Sequence, residues 1–263
     1  MNTSHGSIGY RFAAISDIHG NLAALDAVLE DIDKRGCDLI VNLGDILSGP
    51  LQPAETADRL MALDLPTIRG NHERQLLEQA PERMGPADAF THARLARDHL
   101  DWLRGLPTSL RLEGGVHLCH GTPDSDLEYF LEDVDEHGAA PAAVDVVLER
   151  VGDLDAELIL CGHTHMPRSM QLADGRLIVN PGSVGLQAIA WDRPHPHVMN
   201  VGTPHARYAL FERGERGWTV THVSVAYDWD AAAALAESNG YPRLAHALRH
   251  GRMPVATERE HAA

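Results

Sequence analysis

Positive charge is scarce in this chain. Its 263 residues carry 22 Lys and Arg against 38 Asp and Glu, a formal net charge of −16 with the histidines neutral. A sequence-independent grip on nucleic acid needs basic side chains facing the phosphates, or an aromatic track for a single strand, and the chain shows neither. A nucleic-acid polymer is therefore not the expected partner, whereas a small anion held through metal ions remains compatible with the charge. Cysteine is sparse as well. Cys37, Cys119 and Cys161 are too few, and odd in number, for a disulfide framework, and they read as buried thiols in a reducing compartment. No apolar run reaches membrane-spanning length, and Met1 to Tyr10 lacks the basic-then-apolar pattern of a signal peptide. A cytoplasmic protein with no membrane partner is expected.

What is present is core-forming material: 44% of the residues are apolar, enough for one large core. One domain over residues 10–250 is expected, with residues 1–9 and 251–263 as flexible tails. The first half alternates strand and helix. Arg11 to Ser16, Leu39 to Asn42 and Leu65 to Arg69 read as strands, separated by the helical patterns of Leu22 to Ile32 and Pro53 to Leu63. This βαβαβ start predicts parallel pairing. Residues 73–105 read as a cap-like helical insertion. The second half adds hairpins at Glu113-Gly114-Gly115, at Asp174-Gly175 and at Gly214 to Gly217, then closing helices over Asp230 to Ser238 and Arg243 to His250.

Seven residues stand at, or just beyond, the ends of the predicted strands: Asp17, His19, Asp45, Asn71, His120, His163 and His165. Asp17 and His19 are two apart in an extended turn, so their side chains can converge on one ion. Asp45 follows Gly44 and offers two oxygens, enough to bridge two cations. Asn71 offers a carbonyl oxygen and the histidines offer imidazoles. Such a donor set suits Mn, Fe or Zn better than an all-oxygen Mg or Ca site. Two ions sharing a carboxylate sit about 3.5–4 Å apart and can hold a hydroxide between them, an arrangement that cleaves phosphoesters.

Asp17-Ile18-His19-Gly20-Asn21, Gly44-Asp45, Gly70-Asn71-His72-Glu73, His120-Gly121 and Gly162-His163-Thr164-His165 resemble, in order, the five signature blocks of the calcineurin-like metallophosphoesterases. Asn180-Pro181-Gly182-Ser183-Val184-Gly185 is similar to the small bacterial YfcE-type branch. The resemblance covers about Ile15 to Glu212. It implies an α/β fold, a four-layer αββα sandwich of two mixed β-sheets flanked by helices, with helical insertions near the active site. It also implies two divalent transition-metal ions per chain. One would be held by Asp17, His19, Asp45 and His165, the other by Asp45, Asn71, His120 and His163. His72 matches the catalytic histidine, which contacts the phosphate and assists the leaving oxygen.

Two departures bear on the substrate. In the protein serine/threonine phosphatases of the same superfamily the second block continues with an Asp that orients the catalytic histidine and an Arg that grips phosphate. Here Asp45-Ile46-Leu47 runs into Ser48-Gly49, leaving Arg69 or Arg74 as substitutes and the partner of His72 open. Second, residues 188–204 are an insertion that carries Trp191, Arg193, His195 and His197. It is either a solvated surface loop or a lid and substrate wall. Asn21 directly precedes an apolar helix pattern and is either its N-cap or a substrate contact. Arg69, His195 and His197 complete the candidate substrate contacts.

A phosphohydrolase cleaving small phosphodiesters through a metal-bridging hydroxide is the leading expectation. Phosphomonoesterase activity of the protein-phosphatase kind, or a catalytically silent metal-binding interaction module, are the alternatives, and a homo-oligomer stays open.

Overall fold

The computed structural model describes residues 11–254, so the tail expectations for residues 1–9 and 255–263 lie outside the described residues. In chain order come β1 (Arg11–Ile15), α1 (Leu22–Arg35), β2 (Leu39–Asn42), α2 (Pro53–Met61), α3 (Asn71–Glu78), a 3-10 turn (Pro81–Arg83), α4 (Pro86–His92) and α5 (Arg97–Gly105). The hairpin strands β3 (Leu110–Leu112) and β4 (Val116–Leu118) follow, then β5 (Glu132–Asp135), β6 (Gly138–Pro141), α6 (Val144–Val151), β7 (Leu158–Leu160), β8 (Arg168–Gln171) and β9 (Leu177–Asn180). The last elements are β10 (Ala188–Trp191), β11 (His197–Asn200), β12 (Ala206–Gly214), β13 (Gly217–Val225), α7 (Trp229–Ser238) and α8 (Pro242–His250).

Strand alternation builds the layers. In β1, Phe12 and Ala14 turn to one side while Ala13 and Ile15 turn to the other, so both faces of this strand are buried. Phe12, Ala14, Val41 and Leu43 meet Leu118, Leu158, Leu160 and Val179 across an apolar layer between the two sheets. Ala13 and Ile15 pack under α1, whose Leu25, Val28, Leu29 and Ile32 recur at helical spacing. On the far side, Ile159 and Ile178 face Val147 and Val151 of α6. The result is the four-layer αββα sandwich. Its first sheet runs β13-β12-β1-β2 and its second β3-β4-β7-β9-β8, each mixing parallel and antiparallel pairs.

Several local expectations are corrected. The strand expected over residues 65–69 shrinks to a single parallel bridge between Asn42 and Thr67. Pro66 has no N–H to donate, so the pairing consists of Asn42 N to Pro66 O and Ile68 N to Asn42 O. Residues 188–204 are not an irregular loop but the antiparallel β10–β11 hairpin, which packs on β6 and α8. The β5–β6 hairpin carried no sequence signal that was read. Gly251, expected to begin a frayed tail, is buried: its carbonyl accepts from Gly202 N at 2.7 Å, and Met253 N donates to Asn200 Oδ1 at 2.8 Å. No helix among the described residues is long and apolar enough to cross a membrane.

Candidate metal centre

All the parallel strands of both sheets deliver their C-terminal ends to one edge, where loops of an α/β fold gather functional groups. β1 leads to Asp17 and His19, β2 to Asp45, the Thr67 bridge to Asn71, β4 to His120, and β7 to His163 and His165. Five of these residues sit in left-handed backbone, with φ of 54° at Asp17, 51° at His19, 52° at Asp45, 67° at His163 and 60° at His165. Such conformations are strained outside glycine and persist only where the surroundings enforce them. Here the first two loops are zipped by Asp17 N to Gly44 O at 3.0 Å and His19 N to Asp45 O at 3.1 Å. The wholly buried Glu73 carboxylate accepts from Asp45 N, Ile46 N and Gly70 N at 2.9, 2.8 and 2.9 Å, clamping the second and third loops. Gly70 is needed for contact, because a Cβ there would strike the Asp45 carboxylate. From the other side Ser183 Oγ donates to Asp17 O, and Asn180 Nδ2 to Gly162 O, both at 2.7 Å.

The side chains form two triads, Asp17 with His19 and His165, and Asp45 with His120 and His163, each with ligand atoms within 4.8 Å of one another. Tautomers explain what they await. His19 Nδ1 donates to Ser48 O at 2.7 Å and His165 Nδ1 to Leu186 O at 2.6 Å, so each neutral ring turns a bare Nε2 inward. These two atoms face each other at 3.1 Å. In the second triad His120 Nδ1 donates to Leu43 O at 2.8 Å, and its buried Nε2 lies 3.1 Å from Asp45 Oδ2. Asn71 Oδ1 is buried and unpartnered among the described residues. Two bare ring nitrogens aimed at each other, as in His19 and His165, are costly unless a cation lies between them, and backbone carbonyls that orient the ligating rings are the usual support of a metal site. The residues of the two triads fit metal ions.

Charge balance agrees. Burial lowers the pKa of His19 and His163, aided by the neighbouring His165 and His120 respectively, to about 4 in each case, which keeps both rings neutral and free to ligate. Burial would lower His120 too, but the Asp45 carboxylate outweighs it and raises that pKa to about 10. Burial opposes ionisation of Asp45, yet His120 and His72 hold it well below the usual carboxylate range.

His72 stands beside both triads. Its backbone N–H donates to Asp45 Oδ1 at 3.0 Å, and its ring lies edge-on to that of His19 at 5.4 Å between centroids. Its Nδ1 is 2.7 Å from Oδ1 of Asp88, a buried residue of α4. Burial would depress the His72 pKa, but Asp45 and Asp88 together raise it to about 9.

Residues 10–204 match the calcineurin-like phosphoesterase superfamily domain. The chain belongs to that superfamily. A protein of Methanocaldococcus jannaschii, MJ0912, is 30% identical over 234 residues, covering 82% of this chain and 87% of that protein. A metallophosphoesterase from Sphaerobacter thermophilus superposes with a TM-score of 0.71 at 26% identity, covering 92% of this chain and 98% of the other. Membership places the chain in a family of metal-dependent hydrolases, and it carries two candidate ligand triads.

The remaining candidates divide. Asn21 caps α1, accepting from Ala24 N, and its Nδ2 donates to Gly185 O and Tyr227 Oη, so its polar atoms serve the scaffold rather than a substrate. Arg74 is not a free phosphate grip, because its guanidinium meets both oxygens of Asp126 at 2.6 and 2.8 Å. Arg69 is half-buried, with its Nε unpartnered among the described residues. His195 is exposed. His197 is buried and engaged at both nitrogens, Nδ1 with His195 O at 2.7 Å and Nε2 with Tyr129 Oη at 2.9 Å, so it latches its hairpin rather than offering itself to a ligand. Tyr129 in turn lies 5.1 Å from the His163 ring. Sequence reasoning missed Asp88 and Tyr129, which have no strand-end spacing to betray them. It also missed the clamping role of Glu73, although an acid three residues after a helix cap is a readable signal.

Proposed function

We propose that this phosphoesterase is a binuclear metal-dependent phosphohydrolase acting on small phosphodiesters. The observation that carries the reading is the pair of inward-facing triads, with His72 beside both of them. Asp17, His19, Asp45 and His165 would hold one ion, and Asp45, Asn71, His120 and His163 the other. Bound there, the ions supply Lewis acidity towards phosphoryl oxygens and activate water at neutral pH.

The chain's own groups do the rest. Asn71 and His72, in the first turn of α3, present an amide and an imidazole to the phosphate, and His72 holds the proton that the departing oxygen needs. Diester preference is supported by the scarcity of free cations. A monoester near neutral pH approaches a dianion and wants a free guanidinium for its third oxygen, but Arg74 is spent on Asp126, which leaves only the half-buried Arg69 of the two substitutes. In a diester that oxygen carries an organic group instead, and the missing cation costs less. The β10–β11 hairpin, fastened to Tyr129 beside His163, is placed to wall that second group, with the exposed Trp191 opposite His197.

The test is kcat/KM for an aryl phosphodiester against its matched monoester, on protein stripped by chelator and reloaded with Mn. A higher value for the diester is expected. Equal or greater turnover of the monoester would move the phosphatase reading to first place, and no turnover of either by the reloaded protein would favour a silent interaction module.

A further inference from the structure

We propose that Asp88 is the positioning residue of His72, delivered to the centre by the helical insertion, where the second sequence block supplies no aspartate. The inference rests on the phosphohydrolase reading and deepens it.

Three observations carry it. Asp88 Oδ1 lies 2.7 Å from His72 Nδ1, and Asp88 is 4% exposed. An ionised carboxylate only accepts, so Nδ1 must be the protonated ring nitrogen, and Nε2 is the one left to face a substrate. Next, α4 is docked so that this contact is fixed. Thr91, one turn beyond Asp88 on the same helix face and wholly buried, accepts from Gly49 N at 3.2 Å and donates to Leu47 O at 3.3 Å. Gly49 and Leu47 belong to the loop that follows Asp45, so one helix face grips the metal loop and the histidine together. Finally, the start of α4 is tied from outside, since Tyr241 Oη donates to Pro86 O at 2.9 Å and the Tyr241 ring stands edge-on to Phe90.

The consequence is chemical. In diester hydrolysis the oxygen of water forms a bond to phosphorus, the bond from phosphorus to the leaving oxygen breaks, and its electron pair stays on that oxygen. The proton on His72 Nε2 passes to the leaving oxygen, giving an alcohol and a phosphomonoester. His72 becomes neutral with Nδ1–H still donated to Asp88, and water's surplus proton leaves to solvent. A carboxylate on Nδ1 fixes the ring's tautomer and leaves Nε2 to meet the leaving oxygen, so its value depends on how much help the leaving group needs.

The experiment compares wild type, Asp88→Asn, His72→Ala and the double variant on aryl phosphodiesters with good (p-nitrophenolate) and poor (phenolate) leaving groups, with bound metal measured throughout. Asp88→Asn is expected to keep both ions and KM, and to lose about 10- to 100-fold in kcat on the poor leaving group. On p-nitrophenolate the loss should be about threefold or less, and in the His72→Ala background Asp88→Asn should cost nothing further. Imidazole nitrogen NMR provides a reading independent of turnover: the His72 Nδ1–H resonance of the wild type should vanish in Asp88→Ala. An equal loss on both leaving groups, an additive loss in the double variant, or a wild-type His72 protonated only at Nε2 would overturn the assignment. If the wild type turns over diesters while Asp88→Asn matches it on every substrate, Asp88 fails alone. A wild type silent towards all diesters sinks the hydrolase reading and this inference with it.

Discussion

The Nε2 atoms of His19 and His165 face each other at 3.1 Å, on rings whose Nδ1 atoms are each committed to a backbone carbonyl. Neither can donate to the other while both are neutral, so the pair is built around a missing positive charge.

From this geometry, His165→Ala should lose the ion of the first triad and keep that of the second. Asp45→Ala should lose both or hold them very poorly, because it removes the ligand shared between the sites. Elemental analysis of the purified variants decides it, and Asp45→Ala with two tightly held ions would remove the bridging role.

Proton competition should be uneven. His120 has a folded pKa of about 10 against an ordinary 6.5, so in metal-free protein its charged pair with Asp45 stabilises the fold fully below 6.5 and fades as pH rises through about 10. His19 and His163, lowered to about 4, do the reverse: their neutral rings contribute above 6.5, and the contribution is lost as pH falls through about 4. Loading the second triad near neutral pH should therefore displace about one proton, the one held by His120. Calorimetry in buffers of different ionisation enthalpy measures this, and loading without proton release would contradict it.

Glu73 is the clamp whose loss should be felt in folding. Glu73→Ala leaves three buried N–H groups, those of Asp45, Ile46 and Gly70, without acceptors. At about 1–3 kcal/mol for each unpaired group, a loss of at least about 3 kcal/mol is expected in urea unfolding of metal-free protein, with Glu73→Gln costing less. A change under about 1 kcal/mol would mean the loops hold their left-handed turns unaided.

Tyr129→Phe should release the hairpin without touching the metals. It removes the hydroxyl that meets His197 Nε2 at 2.9 Å. Both ions should stay, while KM rises for a bulky diester and is unchanged for p-nitrophenyl phosphate. Equal changes for both substrates would deny the hairpin a role as a wall.

Six of the candidate ligands were legible because each follows a short apolar strand, and a strand's end fixes where the next residues go, whereas Asn71 follows only the Thr67 bridge. Asp17 and His165 are far apart in sequence, yet each is announced locally by its block. Asp88 was not legible. Its meaning depends on how α4 docks, and that docking is settled by Thr91 and Tyr241, which no periodicity connects to His72. Arg74 shows the same limit, since a guanidinium reads as available until the fold supplies Asp126. Pro66 did carry a readable signal against a full third strand, and the apolar residues around it masked that signal.

The most direct test of the two-ion centre is a Mn titration of stripped protein with bound ion and diester turnover recorded together. Turnover should appear only as occupancy climbs from one towards two ions per chain, and chelation should abolish it. Full turnover with no ion bound, or with one, would contradict the account.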